Sequence, residues 1–184
     1  MRTLFLTIAL LFVANGLFSQ TNYYTETKTF YEDGYTYQAD VSPADVELYN
    51  KDNKWIYVDA RYKETGMSAN EAIEMYDADF LDEAAWRIAR SVLHSIIIET
   101  FPENVRDMSK VSDYNFFVLL YINSETGIVD EVSFSFSDDS PFAYAPVSVY
   151  RQMELDIKDK VRFTVTEEGK KLNYIFYWDY YKFK

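Results

Sequence analysis

The 184-residue chain has no cysteine. A disulfide framework, a thiol nucleophile, a thiolate metal site and a lipid-modified cysteine anchor are therefore excluded. His94 is the single histidine, so zinc or haem ligation by paired histidines is excluded as well. Five glycines and four prolines leave no Gly-rich phosphate loop, no Gly-x-Ser-x-Gly elbow and no linker that would divide the chain. Positive charge is scarce: 18 Lys and Arg stand against 30 Asp and Glu, a net charge of −12. That balance repels nucleic acid and anionic membrane surfaces. No residue pattern calls for a cofactor or a metal.

A long hydrophobic run is also missing. The apolar stretch from Leu4 to Phe18 has 15 residues and includes Asn15 and Gly16, against the ~20 that span a bilayer. With Arg2 before it and Ser19 after it, residues 1–19 read as a secretory signal peptide that leaves Gln20 as the new N-terminus. Residues 20–184 are then one exported, soluble domain, periplasmic or extracellular. A domain of that length buries ~70% of its unfolded surface and needs no covalent staple.

What remains is a sequence of strands and helices. Asp33-Gly34 between β-branched and aromatic runs predicts a first hairpin within Tyr23 to Val41. Pro43 breaks that pattern, and VELY (46–49) with KWIYVDARY (54–62) reads as a second hairpin. Ser68 and Glu71 have capping-box spacing ahead of a short helix at 69–76. From Phe80 to Phe101, apolar residues recur at helical spacing, with Asp79 as N-cap, Pro102 as stop, and Ile96, Ile97 and Ile98 expected to be buried on several sides. The wheel puts His94 opposite the apolar stripe, near Arg87, Arg90 and Ser91, as a solvated or hydrogen-bonded surface histidine. ENVRDMSKVSD reads as a polar connection. NFFVLLYI (115–122) has no polar face and predicts a central strand, while in IVDEVSFSF (128–136) Val132, Phe134 and Phe136 alternate with a wet face of Glu131, Ser133 and Ser135. Tyr150, Met153, Ile157 and Val161 mark a second long helix after Pro146, with Glu154 and Lys158 paired. RFTVT (162–166), a turn at Glu168-Gly169-Lys170 and a long aromatic strand, LNYIFYWDYYKF (172–183), close the chain. The fold expected is a single α+β domain, an antiparallel sheet with two long helices on one face, in the order N-terminal β-hairpins, helix, then ββαβ.

The stretch FVLLYINSETGIVDEVSFSF resembles the hairpin of TonB C-terminal domains. VRFTVTEEGKKLNYIFYWDYYKF is similar to their closing part, an aromatic after the helix, a Gly-Lys turn and a long strand ending in Phe. The resemblance spans residues 114–184 within what looks like an exported bacterial domain of unknown function, of the kind common in Gram-negative bacteria. It implies a sheet edge able to pair with a strand from an envelope protein partner.

The aromatic content is the other unusual feature, with 17 Tyr, 14 Phe and three Trp. Aromatic pairs across strands stabilise a sheet by about 0.2–1 kcal/mol each, so packing accounts for many of them. Exposed on a strand face, they also make a surface on which sugar rings stack. The candidate ligand-binding residues are Trp55, Tyr57, Trp178 and Tyr180, all expected in strands. No catalytic residue is assigned. Three readings stand: a non-enzymatic interaction protein using its sheet edge, a carbohydrate-binding module using strand aromatics, and an enzyme whose acids near a helix start, Asp79 or Asp82, converge with another carboxylate.

Overall fold

The computed structural model describes residues 21–76, 78–110 and 114–183. The signal-peptide reading of residues 1–19 lies outside them. Six strands form one antiparallel sheet: β1 Lys28–Glu32, β2 Tyr35–Ser42, β3 Asp45–Asn50, β4 Phe116–Ile122, β5 Val129–Phe136 and β6 Ile175–Tyr181. Their order across the sheet is β1-β2-β3-β5-β4-β6, so β1 and β6 are the edges. Among the described residues four α-helices accompany them: α1 Ala69–Tyr76, α2 Glu83–Thr100, α3 Glu103–Lys110 and α4 Val147–Lys160. Among the described residues no helix is long and apolar enough to cross a membrane.

The first hairpin forms at Asp33-Gly34, both at positive φ, as the turn chemistry requires. The second is not the one read from the sequence. Pro43 does not break the pattern; Pro43 and Ala44 make a two-residue turn that pairs Ser42 with Asp45 and lays β3 against β2. Proline presets φ for the first turn position, and Ala44 takes φ +75° at the second. Residues 51–60 then form a loop instead of a strand. Its backbone donors at Lys54 and Trp55 go to the Glu131 carboxylate, at 2.7 and 2.9 Å, and not to a neighbouring strand.

The helices also depart from expectation at their ends. Asp82, not Asp79, caps α2 by accepting the Ala85 N–H at 2.9 Å. Ile96 and Ile97 are buried but Ile98 is not. The supposed connection after Pro102 is α3, whose Val105 is buried. Half of the capping box forms as read, with the Ser68 N–H donating to Glu71 at 3.0 Å, while the Ser68 hydroxyl accepts the Asn70 N–H at 3.2 Å in place of that of Glu71. Residues 162–166 make isolated bridges, Arg162 to Ile128 and Val165 to Leu81, and no strand. The turn before β5 needs its glycine: Gly127 sits at φ +71°, and a Cβ there would lie 1.9 Å from the Phe163 carbonyl oxygen.

Both long helices cover one face of the sheet. Phe116, Val118, Leu120 and Ile122 of β4 point there beside Val132, Phe134 and Phe136 of β5, and Tyr150 of α4 packs on Phe136 with ring centroids 5.4 Å apart. The register pairs Val118 with Asp179 and Leu120 with Tyr177, so Tyr177, Asp179 and Tyr181 of β6 share this covered face. The alternate residues form the other face; among the described residues neither long helix covers it, and the start of α1, at Ala69 and Asn70, lines a cleft there. This face is not wholly wet: Glu131 and Ser133 are buried beneath the 51–60 loop and its neighbours.

The candidate functional site on the open face of the sheet

Period-2 alternation sends Tyr174, Phe176, Trp178 and Tyr180 to the open face at steps of about 6.6 Å, a row about 20 Å long. Trp178, Tyr180 and Phe176 keep 53%, 46% and 42% of their surface exposed. Across the β4–β6 pair the row is doubled. Tyr121 stands against Phe176 at 5.6 Å and Tyr174 at 5.6 Å, and Phe117 against Trp178 at 6.0 Å and Tyr180 at 6.2 Å. Trp55 extends it, stacked on Tyr174 at 4.8 Å and 28°.

The loop that supplies Trp55 and Tyr57 is held rigidly. Glu131 binds two of its backbone donors, the Asn53 side chain donates to the Val132 carbonyl at 2.9 Å, and the Tyr174 hydroxyl donates to the Val58 carbonyl. Beside this loop lies a cleft of about 400 Å³ lined by Glu47, Trp55, Tyr57, Leu119, Tyr121 and Phe176, among others. Its size and mixed lining suit a small organic ligand or one unit of a longer one.

Two carboxylates face each other across the hairpin next to the cleft, Asp40 on β2 directly opposite Glu47 on β3. Like charges so placed oppose folding. Their environments divide them. Burial pushes Asp40 upward, but hydrogen bonds from Gln38 (2.9 Å), Tyr49 (2.9 Å) and Tyr57 (3.0 Å) outweigh it and hold this carboxyl below its usual range. Glu47 is pushed up, by burial first and then by Asp40 and Asp45. Among the described residues no hydrogen bond to the Glu47 side chain offsets that. A carboxylate accepts hydrogen bonds only, and a hydroxyl-bearing ligand in the cleft would supply the missing donors.

Of the four residues picked from the sequence, the structure brings all to this face but in two groups. Trp178 and Tyr180 lie in a strand, β6, as expected, and the structure leaves both exposed there. Trp55 and Tyr57 lie in a loop, not a strand, with Trp55 half-buried and Tyr57 71% exposed. Asp79 and Asp82 are not part of the site, since the Asp82 carboxylate is committed to capping α2. Sequence reasoning missed Asp40, Glu47 and Glu131. Alternation in QAD and VELY marks the first two as facing the same way as their neighbours' polar residues, yet their opposition depends on the Pro43-Ala44 turn.

The class defined by this architecture is a single α+β domain with a six-stranded antiparallel sheet, helices on one face and aromatics on the other. Residues 20–178 match the family described as Domain of unknown function (DUF5043), and the chain belongs to that family. Among solved structures it is similar to the crystal structure of a DUF5043 family protein from Bacteroides uniformis ATCC 8492, with 33% identity over 89% of each chain and a TM-score of 0.78. No match is found among curated proteins.

Proposed function

We propose that the protein is an exported, non-enzymatic binding protein whose recognition surface is the open face of the sheet and whose ligand is a carbohydrate. The observation that carries this reading is the row of Phe176, Trp178 and Tyr180, 42–53% exposed on a strand whose opposite side is core. A sugar ring has a face of C–H groups and a rim of hydroxyls. Flat aromatic side chains offer the first an apolar platform with few torsions to immobilise, and Glu47 with the Tyr57 hydroxyl offers the second its hydrogen-bonding partners. The row favours an oligosaccharide laid along β6 over a single ring.

Calorimetric titration of the purified protein with a panel of neutral and acidic oligosaccharides tests it. At least one should bind and be recovered uncleaved, and Trp178→Ala should weaken that binding about tenfold or more with little change in the urea midpoint. A panel with no binding, or binding that Trp178→Ala leaves intact, overturns the reading. Export is checked by sequencing the N-terminus of the protein from the producing bacterium, which should begin at Gln20.

The position of β6 at the sheet edge favours a second reading, in keeping with the TonB-like order of the last elements. An envelope protein would add a strand there through main-chain hydrogen bonds. Such a partner must slow hydrogen exchange at β6 amides, and a complex without that protection removes this mode.

A further inference from the structure

The cleft beside the 51–60 loop has walls of one electrostatic sign. Among the described residues its lining holds no lysine, arginine or histidine, and its two acids differ. Asp59 is paired with Arg61 at 2.6 Å, both side chains exposed. Glu47 is half-buried, accepts no hydrogen bond among the described residues, and has Asp40 opposite it and Asp45 nearby. Lys51 acts on Asp40 and lies outside the lining. The negative field reaches the phenols of the cleft. Tyr121 is pushed up to about 12, by burial first and also by Glu47 and Glu131, and Tyr174 to about 12, by burial first and then by Tyr121, Asp59 and Glu131. The remaining surface is largely rings. Trp55 stacks on Tyr174 at 4.8 Å, and Tyr121 meets Phe176 at 5.6 Å. The face of an aromatic ring is itself negative, so rings around a carboxylate that has no base beside it favour a cation over a neutral polar group.

We infer that this cleft is a subsite for an alkylammonium group, which on the carbohydrate reading is the free amine of an amino-sugar unit. A hydroxyl gives Glu47 one donor and no charge. An ammonium gives donors and the opposite charge together, and charge-assisted hydrogen bonds are the stronger kind. The carbon that bears the amine, with its C–H groups, packs on the rings. Naming the sugar rests on the carbohydrate reading, and Phe176 joins the two surfaces, since it lines the cleft and precedes Trp178 in the aromatic row. An oligosaccharide laid along Trp178 and Tyr180 therefore runs on into the cleft at Phe176. The net charge of −12 raises the concentration of cations near the whole surface. It does not select among them, and the ring-lined cleft does.

The test compares triglucosamine, whose amines are free, with tri-N-acetylglucosamine, which is neutral on the same backbone, at about pH 6.5, where an amine carries its proton and a carboxyl beside it is ionised. The free amine should bind about tenfold tighter, an advantage that added salt erodes. Glu47→Gln should reduce that ratio to about twofold or less. Glu103→Gln removes an equal charge at the start of α3, outside the cleft, and should leave the ratio as it was. Equal binding of the two trisaccharides, a ratio that survives Glu47→Gln, or one that falls as far with Glu103→Gln overturns the subsite and leaves the aromatic platform standing. Propylamine, followed by saturation-transfer NMR, separates the amine from the sugar. If it binds in a Glu47-dependent way while no saccharide binds, the ammonium subsite holds and the carbohydrate reading falls. Failure of every saccharide and of propylamine overturns both.

Discussion

On the covered face of the sheet Phe116, Phe134 and Phe136 are at most 1% exposed, and on the open face Phe176, Trp178 and Tyr180 keep 42%, 53% and 46% of their surface in solvent. The same strands build both faces, by the same alternation. Aromatics on the covered face are explained by stability alone, because α2 and α4 shield them. Those on the open face have no such explanation. Cross-strand pairing there contributes about 0.2–1 kcal/mol a pair, well below what full burial of such rings contributes. The carboxylates divide in the same way. On the covered side Glu154, 1% exposed, accepts from Tyr37 and from Arg151 at 3.1 Å, and lies 3.4 Å from Lys158. On the open side Glu47 stands opposite another acid, with no such partners among the described residues. What the contrast teaches is that residue type alone does not mark a site; residues kept where stability does not require them do.

The largest effect that tests this contrast is a pair of truncations. Phe134→Ala empties a closed part of the core and should cost about 3–5 kcal/mol, seen as a lower urea midpoint. Trp178→Ala should cost less than about 1 kcal/mol, the value of its pairing with Phe117, although it removes the larger ring. Equal losses would erase the distinction between the faces and make Trp178 a structural residue.

A smaller effect separates the covered face from its edge. Burial pushes the Asp179 carboxyl up, but hydrogen bonds from His94, Arg90 and the Tyr180 N–H outweigh that and hold it below its ordinary value. A depressed carboxyl stabilises the fold at pH values above its unfolded pKa of about 3.9 and loses that contribution as pH falls through the folded value. Asp179→Asn should therefore cost about 1.5–3 kcal/mol at pH 7, the worth of hydrogen bonds to a charged group, and that cost should shrink steadily as pH falls below the unfolded value and through the folded one. Urea unfolding as a function of pH measures the difference. A cost that persists in acid would mean that shape, not charge, is what Asp179 provides.

The alternation that separates the faces was legible in the sequence. Phe134 and Phe136 read as inward, β4 as central, and Trp178 and Tyr180 as strand aromatics, because side-chain period in a strand is a local property. The rest depends on partners far along the chain. Nothing near Trp55 announces that Glu131, 76 residues on, will take its N–H and turn a strand-like run into a loop. His94 is the hydrogen-bonded histidine that the wheel allowed, but its partner, Asp179, lies 85 residues on, and its ring packs 5.0 Å from Tyr181 of β6, which no local pattern announces. The Asp40–Glu47 opposition was hidden for a related reason. It follows from a turn with an alanine at positive φ, a conformation that the residue does not favour.

That opposition gives the smallest and most discriminating effect. Because Glu47 titrates above its unfolded value of about 4.3, its ionised form is disfavoured by folding; the penalty is absent below the unfolded value and fully present once pH exceeds the folded one. Glu47→Gln should thus stabilise the protein at pH 7, by less than about 1 kcal/mol for one relieved like-charge pair, and give no advantage below about pH 4. On the open face the same substitution removes the acceptor that the cleft offers to hydroxyl groups, so saccharide binding should weaken while stability rises. The two readouts moving in opposite directions identify a residue retained for a ligand at the expense of the fold. If stability and binding both fall, Glu47 belongs with Glu154 as a structural carboxylate, and the cleft loses its polar determinant.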